Sequence, residues 1–312
     1  MQKITPILYC LMLFLLAFAC TPTKTTVQPK PKISFTFDDG STNDMPNYPS
    51  KTWNGMMLSS LEKHHLKAIL FAACTGLQGE KGRQILQSWD KAGHKIANHT
   101  YSHKNFGNPK TDMEWYKQDF LRNDSIINQY THFYPYFRFP YLKEGDTPEK
   151  VQNFRAFLKE KGYSNGHVSI DASDWYVSGR LVDRLKSDPK ADISGFRDFY
   201  VAHLYDRACY YDALAVSLTG RQINHVILLH HNLSSALFLD DLIQHFKQKG
   251  WEVMDADKAY KDPIYQSITK NMPAGESLIW ALAKQSGKYE SILRYPAEDG
   301  DYEQAKMDKL GL

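Results

Sequence analysis

Apolar and polar residues alternate along Ile33-Ser34-Phe35-Thr36-Phe37, a period of two that predicts a β-strand. From there the chain switches repeatedly between short apolar runs and helical spacing. Strands are expected at Ala68 to Ala73, His94 to Ala97, Tyr136 to Phe139, His167 to Ile170, Asn224 to Leu229 and Trp251 to Met254. Helices are expected over Trp53 to His64, Gln84 to Ala92, Met113 to Tyr130, Pro148 to Lys161 and Ala236 to Lys249, several of them ended by a glycine. Strands alternating with helices of this length predict βα units on a parallel sheet, which close into a barrel when repeated with right-handed crossovers. Two stretches fall outside the alternation. Asp183 to Thr219 forms a mostly helical excursion, and the chain from Pro263 onward holds one predicted helix (Ser277 to Gln285) and a charged tail.

The start of the chain has a different pattern. Lys3 precedes an apolar run from Ile7 to Ala19, and Cys20 follows Ala17-Phe18-Ala19. A basic end, an apolar stretch too short to span a bilayer and a small-residue cleavage site predict an export signal over residues 1–19. Two products are open: a soluble periplasmic or secreted protein, or a lipoprotein anchored to a bacterial membrane through lipid on Cys20. The lipoprotein is favoured, because an unmodified Cys20 would be an exposed reactive thiol. Residues 20–32, rich in Thr, Pro and Lys, read as an extended tether. Residues 33–262 form the expected main domain and 263–312 a C-terminal extension. Of the remaining cysteines, Cys74 and Cys209 are expected as separate thiols rather than a disulfide.

Composition narrows the class. The 312 residues are 42% hydrophobic and 13% aromatic, which fits a folded core and excludes a disordered chain. Thirty-eight Lys and Arg against 35 Asp and Glu give a net charge of +3, too slight for a nucleic-acid-binding surface. Nothing in the pattern sets an oligomeric state.

Polar residues gather at the C-terminal ends of successive predicted strands, the edge where sites are built in a barrel of parallel strands. Thr36-Phe37-Asp38-Asp39-Gly40 offers adjacent carboxylates before a glycine turn. Such a pair serves equally as a solvated loop; in a functional role it divides between a metal and a proton. His99 and His103 are four apart, a spacing that puts both imidazoles on one side of a helical turn to grip a divalent metal. With Asp39 they would leave coordination positions open. Arg138, in Arg138-Phe139-Pro140-Tyr141, would hold Asp38 and lower its pKa. Asp171-Ala172-Ser173-Asp174-Trp175 puts acids before an aromatic that suits sugar stacking. Leu228-Leu229-His230-His231-Asn232 ends an apolar strand in two imidazoles, which alternation sends to opposite sides.

The fragments TFDDG, HTYSH, RFPY, DASDW and LLH, in this order from Ile33 to Tyr260, resemble the five motifs of the polysaccharide deacetylases, the fourth family of carbohydrate esterases. The resemblance implies an α/β fold, a distorted (β/α) barrel of about seven parallel strands, and a metal-dependent deacetylase. By position, Asp38 resembles the catalytic base and Asp39, His99 and His103 the ligands of one divalent metal. Zinc suits this donor set, with cobalt, nickel and manganese as alternatives. Arg138 would orient Asp38, the Tyr141 N–H would bind the oxyanion, Asp174 would keep the acid histidine charged, and Trp175 would line the groove. Asp171 is the less certain member of its motif. Leu-x-His fits both His230 and His231, and His230 is preferred because the apolar run ends there. Phe139 stands where a small residue or Pro is common and is expected to narrow the groove. The implied reaction removes acetyl groups from N-acetylated sugars of a polysaccharide such as peptidoglycan, a chitin-like chain or an exopolysaccharide. The alternatives are an O-acetyl esterase and a catalytically silent glycan-binding lipoprotein.

Overall fold

A computed structural model describes residues 29–294 and 300–312. The expected export signal and Cys20 lie outside the described residues. The main sheet is wholly parallel and has β1 (Lys32–Asp39) near its centre. On one side of β1 lie β2 (Ile69–Ala72), β3 (Lys95–Asn98), β4 (Phe133–Phe137) and β6 (Ser164–Asn165). On the other lie β7 (Asn224–His230) and β8 (Glu252–Val253), both paired to β1.

The helices cover this half-barrel in chain order. α1 (Ser50–Lys63), α2 (Gly79–Lys91), α3 (Met113–Ile127) and α4 (Pro148–Glu160) serve the first strands. α5 (Asp174–Ser187) and α6 (Ser194–Thr219) make up the helical excursion, and α7 (Leu233–Gln248) and the single turn α8 (Ala256–Ala259) follow β7 and β8. Alternation along β1 divides its side chains between helix layer and barrel interior. Phe35 meets Phe246 of α7 and Phe37 meets Trp89 of α2. The intervening Ser34, Thr36 and Asp38 therefore face the other way, and all three are buried.

The expected strand at His167 to Ile170 is replaced by something weaker. Pairing with β4 ends at Asn165, and the next contact with the sheet is a lone bridge from Ile170 to Ile227 of β7. Regular pairing does not close the barrel at this point. Tyr260 and Tyr265 fill the opening, their hydroxyls donating to the carbonyls of His167 (2.9 Å) and Asn224 (2.7 Å). Helix starts also fall earlier than expected for α1, α2 and α7, where polar first turns hide the apolar period.

The C-terminal extension is more structured than a helix with a charged tail. β9 (Ala274–Gly275) pairs antiparallel with β5 (Lys143–Gly145), α9 (Leu278–Ser286) follows, and the charged stretch forms α10 (Asp301–Leu310). Arg180 of α5 holds α10 through Asp308 (2.7 Å), and Glu303 enters a buried ion pair with His203 of α6 (2.8 Å). Cys74 and Cys209 are free thiols; Cys74 is buried, which raises its pKa to about 12, while Cys209 is half-buried. Among the described residues no helix is long and apolar enough to cross a membrane.

A buried amide network ties β2, β3 and α3 together below the site. Asn123 Oδ1 accepts from the Cys74 N–H (3.1 Å), and its Nδ2 donates to the Ala72 carbonyl (2.8 Å) and Asn98 Oδ1 (3.0 Å). Asn123→Ala strands the buried Cys74 N–H and takes one of two donors from the Ala72 carbonyl and from Asn98 Oδ1, and should destabilise the fold by about 1–3 kcal/mol, measured as a shift in denaturant midpoint. A loss below about 0.5 kcal/mol would show that the network is dispensable.

Candidate metal centre and catalytic cleft

Parallel register brings the first two carboxylates to their places. Asp38 pairs in register with His230 of β7 and with Phe71 of β2, and Asp39 pairs with Ala72. Asp38 is 2% exposed, and one of its oxygens, Oδ1, accepts from the Arg138 guanidinium. Its other oxygen, Oδ2, lies 3.6 Å from His99 Nε2 and so faces the site. Arg138, also buried, is fully engaged: Nε donates to the Gly166 carbonyl (2.8 Å), a terminal nitrogen to Tyr260 Oη (2.9 Å), and its plane lies 3.9 Å from the Phe71 ring centre. Arg138 was expected to lower the Asp38 pKa. Burial outweighs it, and the carboxyl is pushed up to about 6.

Asp39 turns at the strand end with φ of 75°, which sends its side chain towards the loop after β3. His99 Nδ1–H donates to the Arg138 carbonyl (2.8 Å), so Nε2 is the free nitrogen. It lies 3.7 Å from Asp39 Oδ1, and His103 Nε2 lies 3.1 Å from the same oxygen. The two imidazoles do not share a helical turn, as their spacing suggested. They converge through a loop with Thr100 at φ 60° and His103 at φ 54°. Side chains hold that loop: Asn98 Oδ1 accepts from Thr100 N–H (2.9 Å), Thr100 Oγ1 from His103 N–H (3.0 Å) and Asp119 from Ser102 N–H (3.0 Å).

Three features of this cluster fit a divalent cation. Asp39 Oδ1 is buried and makes no hydrogen bond, despite the nearby imidazole. Burial lowers the pKa of both His99 and His103, so each offers a lone pair rather than a proton. The donor atoms of Asp39, His99 and His103 lie within 4.8 Å of one another, the one such group found among the described residues. Separations of 3.1 and 3.7 Å straddle the edge of about 3.3 Å expected for tetrahedral coordination at about 2.0–2.1 Å.

Across the cleft, His230 Nδ1–H donates to Asp174 Oδ1 (2.6 Å), and the His230 backbone N–H donates to Oδ2 (2.9 Å). Asp174 is the first residue of α5 and wholly buried; Asn232, the N-cap of α7, also donates to it (2.8 Å). Burial opposes charge on His230, but the Asp174 carboxylate prevails and raises its pKa to about 10. His231 points the other way, into the α1–α2 layer. Its Nδ1 accepts from Ser41 N–H (3.2 Å), its Nε2–H donates to Asn54 (2.9 Å), and Trp53 packs on its ring. Burial lowers its pKa to about 3.

The cleft encloses about 280 Å³ and is lined by Asp38, Asp39, His99, His103, Tyr141, Leu142, Asp171, Trp175, Leu228 and His230. Trp175 and Tyr141 are its exposed aromatic walls, and the Tyr141 ring lies 4.7 Å from that of His103. Tyr141 and Leu142 both have φ of 57°. Phe139 does not narrow the groove. It is buried among Phe106, Phe137 and Phe154 and lines none of the cleft. Sequence reasoning missed Tyr260 behind Arg138, and Leu142 and Leu228 as apolar lining. Tyr260 carried no signal, because its role depends on a contact 122 residues distant.

Residues 25–162, a little under half of the chain, match the family model described as polysaccharide deacetylase, and this part of the chain is similar to that family. A peptidoglycan-N-acetylglucosamine deacetylase of Bacillus cereus is 29% identical over 147 residues, 47% of each chain, so the match spans about half of this curated relative. Among solved structures, a peptidoglycan N-acetylglucosamine deacetylase bound to a naphthalenyl-substituted N-oxidanyl-benzamide superposes with a TM-score of 0.52. Its identity is 21%, covering 74% of this chain and 88% of that one. A family 4 carbohydrate esterase pseudoenzyme from Bacillus anthracis gives 0.51 at 15% identity, covering 74% and 65%. These likenesses show the fold. Asp174 and His230 lie beyond the family-model match, and geometry alone brings them to the cleft.

The opposite environments of the two neighbouring histidines generate a test. His231 is neutral in the folded protein down to about pH 3 and titrates at 6.5 when unfolded. The unfolded state binds the extra proton, so stability falls as pH drops through this window. Its contribution to the slope should approach about 1.4 kcal/mol per pH unit. Urea midpoints of His231→Gln should decline less steeply with acid than those of the parent; parallel curves would contradict the buried neutral form.

Proposed function

We propose that this protein is a metal-dependent hydrolase that removes acetyl groups from N-acetylated sugars of a polysaccharide. One observation carries the reading: Asp39, His99 and His103 converge on a common point, with Asp38 beside them and the Asp174–His230 pair across the same cleft.

Asp39, His99 and His103 would hold the divalent cation, zinc being the ion that best suits one carboxylate and two imidazoles. When bound, the cation polarises the acetyl carbonyl and lowers the pKa of water at the site. Asp38 accepts the proton of the attacking water through Oδ2, the oxygen that Arg138 leaves free. With a pKa raised towards 6, it is a stronger base than an ordinary aspartate and still ionised at neutral pH. The Tyr141 N–H stabilises charge on the former carbonyl oxygen, a contribution of about 3 kcal/mol for one such donor.

His230 then donates its proton to the departing nitrogen. Amine anions are very poor leaving groups, so an acid charged at neutral pH supports an amide rather than an ester substrate. Trp175 offers a flat apolar face to a sugar ring. Peptidoglycan is the polymer named for the curated relative, and N-acetylglucosamine oligomers are the first substrates to assay.

Acetate release and zinc titration calorimetry separate the roles. Asp38→Asn should bind zinc as the parent does and lose turnover by about 10²–10⁴-fold, whereas His99→Ala should lose zinc binding and turnover together. Zinc binding undiminished by His99→Ala would remove the metal reading. A second comparison uses N- and O-acetylated oligosaccharides. His230→Ala should reduce amide hydrolysis at least tenfold more than ester hydrolysis, and equal losses would remove His230 from the role of acid.

A further inference from the structure

The segment that carries Tyr141 ends in a strand, and the partner of that strand comes from the far end of the chain. β5 pairs with β9 in a two-stranded sheet of its own, Lys143 opposite Gly275 and Gly145 opposite Ala274. The Glu276 N–H donates to the Leu142 carbonyl (3.1 Å), and the Glu276 carboxylate pairs with the Lys143 ammonium. Gly275 passes so close that a Cβ there would lie 2.1 Å from the Leu142 oxygen, and its φ of 134° is open only to glycine. The other end of the clamp is anchored to the barrel: Leu278 N–H donates to the Val168 carbonyl (2.8 Å) and Ser277 Oγ to that of Ser169 (3.1 Å).

We propose that the C-terminal extension is a working part of the cleft, in which Gly275 and Glu276 are positioning residues that hold Tyr141 and Leu142 in their left-handed conformations. Neither Tyr141 nor Leu142 is a glycine, so neither conformation is a local preference of the chain. Both must be imposed from outside, and β9 with Glu276 is the element hydrogen-bonded to the carbonyl that follows them. A strand contributed from more than 130 residues away thereby fixes the direction of the Tyr141 peptide. The catalytic part of this inference rests on the function proposed above; the conformational part does not.

The test compares Gly275→Ala, which drives a methyl group into the Leu142 carbonyl, with Arg180→Ala, which loosens α10 without touching the cleft. In Gly275→Ala, kcat for acetate release from N-acetylglucosamine oligomers should fall at least tenfold, with KM within threefold. Amide hydrogen exchange should accelerate over residues 141–145 and not in β1 or β7. Arg180→Ala should lower the melting temperature and leave kcat as in the parent. Should Gly275→Ala not fold, Lys143→Gln removes the ion pair with Glu276 without the steric clash and should give the same exchange signature with a two- to fivefold fall in kcat. Folded variants whose kcat and exchange match the parent would overturn the proposal. If the parent itself releases no acetate, the proposed function fails, and exchange over residues 141–145 alone decides whether the clamp exists.

Discussion

A buried ion pair, Asp38 with Arg138, is the constraint from which the rest of the site follows. Removing two charges from water costs several kcal/mol per ion, and their attraction offsets this only when every remaining donor and acceptor is met. Here the guanidinium is met by Asp38, the Gly166 carbonyl, the Tyr260 hydroxyl and the face of Phe71. Each partner comes from a different part of the chain: β1, the loop after β6, the segment after β8, and β2. The interior is thus closed around the guanidinium on all sides. Pairs of this kind are weak devices for stability, since apolar side chains of similar volume do as well. Their value lies in precision. Arg138 consumes one carboxylate oxygen and fixes the direction of the other.

Backbone strain has the same distribution. Of the eight non-glycine left-handed conformations among the described residues, five (Asp39, Thr100, His103, Tyr141 and Leu142) fall at or beside the cleft. Each costs on the order of 1–3 kcal/mol in a residue other than glycine, and persists only where the surroundings over-determine it. Those surroundings are visible. Asn98, Thr100 and Asp119 pin the histidine loop, and β9 pins the loop of Tyr141. The strain turns side chains inward at strand ends, where a relaxed extended chain would point them along the barrel rim.

The alternation of strands and helices was legible in the sequence because each element buries one face, and its period records which. Chemistry at strand ends was legible for a related reason, since polar residues that interrupt an apolar strand need an explanation. The pattern could not reveal how the pieces meet. The spacing of His99 and His103 suggested a helical turn, yet the loop reaches convergence by left-handed steps that no periodicity encodes. Tyr260 looked like any aromatic after a strand. The charged run from Asp301 to Leu310 looked like a solvated tail, because its helical stability comes from Arg180 and His203 on other helices. The strand expected at His167 to Ile170 has the right residues but only a single bridge, from Ile170 to Ile227, and pairing rather than propensity decides such a strand.

Four histidines at two strand ends show how far environment separates one residue type into different tasks. His99 and His103 are desolvated, and for His103 this outweighs the nearby Asp39 carboxylate, so the neutral imidazole is favoured, with the lone pair a cation would use. His230 is also desolvated, but it faces a wholly buried carboxylate, and a proton held between them is stabilised. His231, one residue on, faces indole rings and an amide, which favours neither charge nor a metal. The sequence presents His230 and His231 as equivalent imidazoles in tandem. Strand alternation separates them, and a single contact then settles the difference: Asp174 reaches one of them because α5 begins at that carboxylate. Moving the register of β7 by one residue would exchange the two rings, turning His231 towards Asp38 and burying His230 against tryptophan without its counter-charge. The placement of the charged imidazole therefore depends on the pairing of β1 with β7, the same pairing that brings Asp38 to the cleft.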